Sequence, residues 1–323
     1  MAKRALLVGI ARYETLPDLP SCVADAQALR DVLARHEDGS PNYDCRLLTF
    51  PGGPPITRDL LRAEWQRLFA GFPGDLLFYY AGHGSLEGSG GAIMTHDGTP
   101  ADPGLPMNEL LQLANDSAAQ EVVLILDCCH SGALGGVGRR RSGRALEQTA
   151  RLREGITILA ATRSREEAVA EAAHGVFTEL LLAALEGGAA DVRGNVSAAA
   201  IYASIEQALG AWDQRPLYKS FASHLLPVRR CTPQVPDELL RRLLRLFAQE
   251  TARVRLAPSY EFSHVAATPE HVAIFDAFKV YRDARLLRTV EGDDLFFAAL
   301  HSHEVELTPA GRLYWRLAAQ GRI

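Results

Sequence analysis

Short apolar runs, closed by glycine, proline or polar turns, alternate with helix-patterned segments through the first two thirds of the chain. That alternation constrains the fold more than any other feature. Residues 5–10, 76–80 and 122–126 are apolar along their whole length, not at every second position. Strands of that kind are covered on both faces. Residues 43–50 and 155–161 read as two further strands. Between the strands, residues 22–35 place Val23, Ala26, Leu29, Val32 and Leu33 at helical spacing. Thr57 reads as the N-cap of a helix over 58–69 carrying Leu61, Trp65 and Leu68. Residues 107–114, 175–186 and 197–209 are also predicted helices. The chain is therefore expected to be α/β, with a mostly parallel sheet sandwiched by helices.

Composition narrows the class. The chain has 323 residues, 47% hydrophobic and 23% charged. These values exclude a disordered, collagen-like or coiled-coil chain. A net charge of −5 speaks against a global grip on nucleic acid. There is no run of 18 apolar residues, so no membrane span is expected. Residues 1–10 are too short and too soon broken for a signal peptide, which points to the cytoplasm. Five cysteines, an odd and small number, imply no disulfide framework.

A boundary is expected over 227–236. Beyond it, 237–251 and 270–287 read as helices, 286–306 as a short hairpin around Glu291-Gly292-Asp293, and 309–320 as a helix capped by Thr308. The resulting division is 1–228 and 232–323. The second part is read as small, mainly helical and winged-helix-like. It carries twelve basic and twelve acidic residues, so a regulatory or protein-binding role fits it better than DNA binding. His301-Ser302-His303 carries two metal-ligand side chains but reads first as a solvated loop. No metal or cofactor is called from the sequence.

In parallel sheets, reactive groups collect beyond the carboxyl ends of the strands. Two strands end unusually: Tyr79-Tyr80-Ala81-Gly82-His83-Gly84-Ser85 and Leu126-Asp127-Cys128-Cys129-His130-Ser131-Gly132. As neighbours they would bring a histidine beside a cysteine pair. An imidazole that takes a thiol proton and returns it to a leaving amine is the pattern of nucleophilic catalysis. Taken alone, the histidine could be a surface or capping residue, and Cys-Cys-His a metal half-site. No second cysteine pair lies at zinc spacing, however.

These paired motifs resemble the caspase/metacaspase superfamily of cysteine peptidases, over roughly residues 3–228. The segments 19–26, 158–186 and 214–218 share in the resemblance. It implies that His83 is the base and Cys129, not Cys128, the nucleophile. It implies an oxyanion hole from the amides of Gly84 and Cys129. It places Cys22, Asp25 and Asp127 around the primary substrate pocket. Singly, Asp25 could be a helix-dipole acid and Asp127 a strand-end cap. As a buried pair they would repel and seek a cation, and a guanidinium fork satisfies both. Cleavage after Arg or Lys is the expectation. The chain departs from metacaspases at Ala81, where serine is common, and it shows no acidic cluster for the calcium that metacaspases often need.

Residues 135–145 form a glycine- and arginine-rich linker between a large segment, about 1–135, and a small one, about 150–228. Arg139, Arg140, Arg141 and Arg144 are candidates for self-processing; a solvated basic loop is the plainer alternative. The partners implied are proteins with exposed Arg or Lys sites, an upstream activating protease or regulator, and neither membrane nor nucleic acid. The resemblance also suggests a prokaryotic cell-death or anti-phage defence pathway. A catalytically inactive scaffold acting through its C-terminal part is the rival reading.

Overall fold

The computed structural model describes residues 2–85, 91–99, 102–128, 152–161, 174–209, 216–222 and 226–323. By contacts the chain divides into two compact units, Met1–Ala190 with Asn195–Cys231, and Asp191–Gly194 with Thr232–Ile323.

In the first unit the elements run β1 (Lys3–Ile10), α1 (Ser21–Ala34), β2 (Asp44–Phe50), α2 (Arg58–Phe69) and β3 (Asp75–Gly82). Then come β4 (Gly84–Ser85), β5 (Ala92–Thr99), β6 (Asp102–Pro106), α3 (Met107–Asp116) and β7 (Val122–Cys128). They are followed by β8 (Ile156–Ala160), α4 (Val176–Ala183), β9 (Asn195–Val196), α5 (Ala198–Leu209), β10 (Leu217–Phe221) and β11 (Arg229–Arg230). A π-helical turn, Ala184–Gly188, follows α4. The main sheet has the order β10-β8-β7-β3-β1-β2. All neighbours in it are parallel except β10, which pairs antiparallel to β8.

The apolar strands are buried on both sides, and alternate residues serve two cores. Leu6, Val8, Phe78, Tyr80, Leu124, Leu126 and Cys128 face Trp65 of α2 and Leu110 of α3. Leu7, Leu77, Tyr79, Ala81 and Ile125 face Ala26 and Leu29 of α1, Leu181 of α4 and Ile201 of α5. Helix α1 lies close on β1 because Gly9 has no side chain: a Cβ there would strike the Cys22 carbonyl and the Ala26 methyl. Helix α2 starts where the Thr57 hydroxyl accepts the Leu60 amide.

The sheet agrees with the α/β expectation. The small antiparallel sheet β4-β5-β6 and the pair β9-β11 were not foreseen. Strands β4 and β9 are only two residues long, and β5–β6 carries a register irregularity between Met94 and Thr99, so no regular alternation marks them.

The second unit contains α6 (Asp237–Leu246), β12 (Arg253–Arg255), α7 (Pro269–Asp283), β13 (Leu287–Thr289), α8 (Leu295–Leu300), β14 (Glu304–Leu307) and α9 (Pro309–Ala319). Its strands form an antiparallel sheet, β12-β14-β13. Thr268, Asp294 and Thr308 cap α7, α8 and α9 through their side chains. The expected hairpin around Glu291-Gly292-Asp293 is a longer excursion instead: β13 and β14 pair, with α8 inserted between them. The Asp294 cap starts that extra helix. Strand β12, an Arg-Val-Arg edge, is held by Glu306 of β14, which also pairs with Arg288 of β13. Among the described residues, no helix is long and apolar enough to cross a membrane.

Candidate active site

Strands β3 and β7 run parallel and in register, Ala81 opposite Asp127 and Gly82 opposite Cys128. Both motif-bearing ends therefore reach one edge of the sheet at the same level. His83 follows Gly82 there. Its backbone is clamped by two tyrosines that the sequence reading did not single out. The His83 amide donates to the Tyr13 hydroxyl at 2.8 Å, and the Tyr80 hydroxyl donates to the carbonyls of His83 and Met94 at 2.9 and 2.7 Å. Tyr13 and Tyr80 hydroxyls lie 3.2 Å apart. Tyr80 spends its proton on the carbonyls, so Tyr13 is the donor in that contact. Gly82 must be glycine here, since a Cβ would run into both hydroxyls.

The His83 ring stacks obliquely on Tyr13, with centroids 4.8 Å apart. Its Nε2 lies 2.8 Å from the Pro17 carbonyl oxygen. A carbonyl only accepts, so Nε2 carries a proton and donates it there. A backbone group thus fixes the orientation of the ring. Gly84, the expected oxyanion donor, begins β4 opposite Ile93 of β5.

The two acids lie on the α1/α4 side of the sheet. Asp25 in α1 is 0% exposed and Asp127 near the end of β7 is 2% exposed. Thr178 of α4 donates to Asp127 Oδ2 at 2.7 Å, and the Tyr79 hydroxyl meets Thr178 Oγ1 at 2.6 Å. With the Thr178 proton committed to the carboxylate, Tyr79 donates to Thr178. Asp25 Oδ1 lies 2.9 Å from His174 Nδ1, and accepts the Gly175 amide at the N-cap of α4 at 3.2 Å. Burial raises the Asp25 pKa, and the charge of Asp127 adds to the rise; His174 and the Gly175 amide oppose it. The two buried acids are thus close enough to perturb each other, and Asp25 already faces the His174 imidazole. Cys22, one turn before Asp25, is 3% exposed and belongs to the same apolar layer as Ala81.

Cys128 faces the other way, into the α2/α3 core, and is 1% exposed. Burial, and secondarily Asp44, push the Cys45 thiol up to about 12. Neither has the makings of a reactive thiolate. Cys129 and the arginines Arg139, Arg140, Arg141 and Arg144 lie outside the described residues. Thr178 and His174 escaped the sequence reading because their partners are far away in the chain. The one available signal was a polar Thr178 at a core position of α4. Among the described residues a single group of three ligand-type side chains converges, Asp293, His301 and His303, and it belongs to the second unit.

The family model of the caspase domain, peptidase C14, matches residues 2–227. The chain belongs to the caspase-domain family of cysteine-type peptidases. Metacaspase-1 of Plasmodium falciparum (isolate 3D7) is 30% identical to this caspase-domain chain over 151 residues, 41% of this chain and 24% of that one. The chain thus spans about a quarter of that curated relative's length. A solved structure of pro-sf-caspase-1 overlays 71% of this chain and 91% of its own, at 14% identity and a TM-score of 0.45.

Proposed function

We propose that this caspase-domain protein is a cysteine endopeptidase that cleaves after Arg or Lys. The observation that carries the reading is the buried pair Asp25 and Asp127, whose charges act on one another. A substrate guanidinium entering beside them neutralises both, whereas a substrate aspartate would add a third negative charge.

In this reading His83 Nδ1 takes the proton from the Cys129 thiol, and the thiolate attacks the carbonyl carbon of the scissile bond. The amides of Gly84 and Cys129 hold the developing oxyanion. The imidazolium then protonates the leaving amine, the C–N bond breaks, and water hydrolyses the thioester. The Pro17 carbonyl and the Tyr13–Tyr80 clamp support this by keeping the ring oriented. Cleavage at Arg139, Arg140, Arg141 or Arg144 would separate a large from a small segment, so the enzyme is read as self-processing or processed in trans. The neutral second unit is assigned a regulatory role, and the setting a cytoplasmic prokaryotic defence or cell-death circuit.

The test is a pair of peptide reporters, ending in Arg and in Asp, offered to wild type and Cys129→Ala, before and after the arginine linker is cleaved. Hydrolysis of the Arg reporter by wild type alone supports the proposal. Equal rates for both proteins would leave an inactive scaffold as the better reading, and hydrolysis of the Asp reporter alone would refute the pocket assignment.

A further inference from the structure

We propose that Asp293, His301 and His303 form a binding site for a borderline divalent transition-metal ion, of which zinc is the representative. The site lies in the second unit. Its three side chains come from the two ends of α8, and the local fold accounts for their meeting. Asp294 caps the start of α8 by accepting the Phe296 amide at 2.9 Å, and the Thr289 hydroxyl holds the Asp293 carbonyl at 2.6 Å. At the other end the chain closes through left-handed Ser302, φ 59°. The Ser302 amide reaches the Ala299 carbonyl and the His303 amide the Ala298 carbonyl, the hydrogen-bond pattern of a helix C-terminus that turns back on itself. This turn brings the His301 and His303 rings to 5.5 Å, tilted by 55°. The ligand atoms of all three residues lie within 4.8 Å of one another.

A simple ion pair does not account for the cluster. His303 Nδ1 sits 2.8 Å from Asp293 Oδ2 as a close pair. His301 has no part in that pair, yet it brings a second imidazole to the same point. One ion bridging two imidazoles and a carboxylate satisfies all three. Two nitrogens and one oxygen form a borderline donor set suited to zinc, nickel or copper, whereas calcium and magnesium prefer all-oxygen shells. The exposure of Asp293 and His301 lets their side chains rotate inward to bonding distance and leaves room for water or an outside donor.

Calorimetric titration of the full chain with Zn2+ tests this, comparing wild type with the double variant His301→Ala/His303→Ala and with Asp293→Asn. At pH 7.5 wild type is expected to bind one equivalent more than the double variant. Asp293→Asn is expected to weaken that equivalent about tenfold or more. Zinc bound at cysteines appears equally in all variants and cancels. A Zn2+-dependent rise in melting temperature, present in wild type and smaller in Asp293→Asn, gives the same answer without the double variant. Equal stoichiometry and affinity in wild type and variants, or no zinc binding at all, would overturn the proposal.

Discussion

Tyr80 makes one hydroxyl serve the His83 carbonyl, the Met94 carbonyl and the Tyr13 hydroxyl. Removing it leaves buried acceptors unmet, at a cost of about 1–3 kcal/mol. Tyr80→Phe is therefore expected to lower the unfolding midpoint and, with His83 as the proposed base, to reduce kcat with little change in KM, since the clamp holds His83 and not the proposed pocket. Asp25 gives a different signature. Its folded pKa is raised. The folded chain thus holds this proton more tightly than the unfolded chain, so Asp25 lowers stability as pH rises from the ordinary carboxyl value through the raised one. Denaturant midpoints measured against pH should show that slope, and Asp25→Asn should remove it. The proposed pocket responds with the opposite sense: KM for an Arg substrate should rise as pH falls and Asp25 becomes neutral.

Helix α1 carries Asp25 and Cys22, and its seat on β1 depends on the bare backbone of Gly9. Gly9→Ala is expected to push α1 outward, cost about 1–3 kcal/mol, and raise KM by displacing Asp25, the proposed pocket acid. Melting temperature and steady-state kinetics on the same sample check both effects. At this scale much of the fold was legible. Continuous apolar runs marked β1, β3 and β7, three- and four-residue spacing marked the helices between them, and the Thr57 and Thr308 caps marked helix starts. Strand β10 gave no such signal, because an antiparallel edge strand reading Leu-Tyr-Lys-Ser-Phe is only half-buried. Helix α8 was hidden behind the turn residues Glu291-Gly292-Asp293. At the candidate site, Asp25, Asp127 and His83 were singled out from motif context. Tyr13, Thr178 and His174 were not, since only tertiary contact gives them a role: Thr178 meets Tyr79 across 99 residues of sequence.

The whole chain holds distinct apolar cores in its two units, around Phe78 and Tyr79 in the first and around Phe278 and Tyr281 in the second. Multi-domain chains depart from a single two-state transition. The calorimetric enthalpy is accordingly expected to exceed the van't Hoff enthalpy on thermal unfolding. The net charge of −5 understates the local contrasts: an acid pair buried in the first unit, and basic Arg253 and Arg288 flanking Glu306 in the second. The most direct test of function is the ratio of kcat/KM for two peptides that differ only in arginine against citrulline, its neutral isostere, before the cut. An acid pair that recognises charge should favour arginine by about a hundredfold or more, the penalty of leaving buried charge unpaired. Equal values for the two peptides would contradict it.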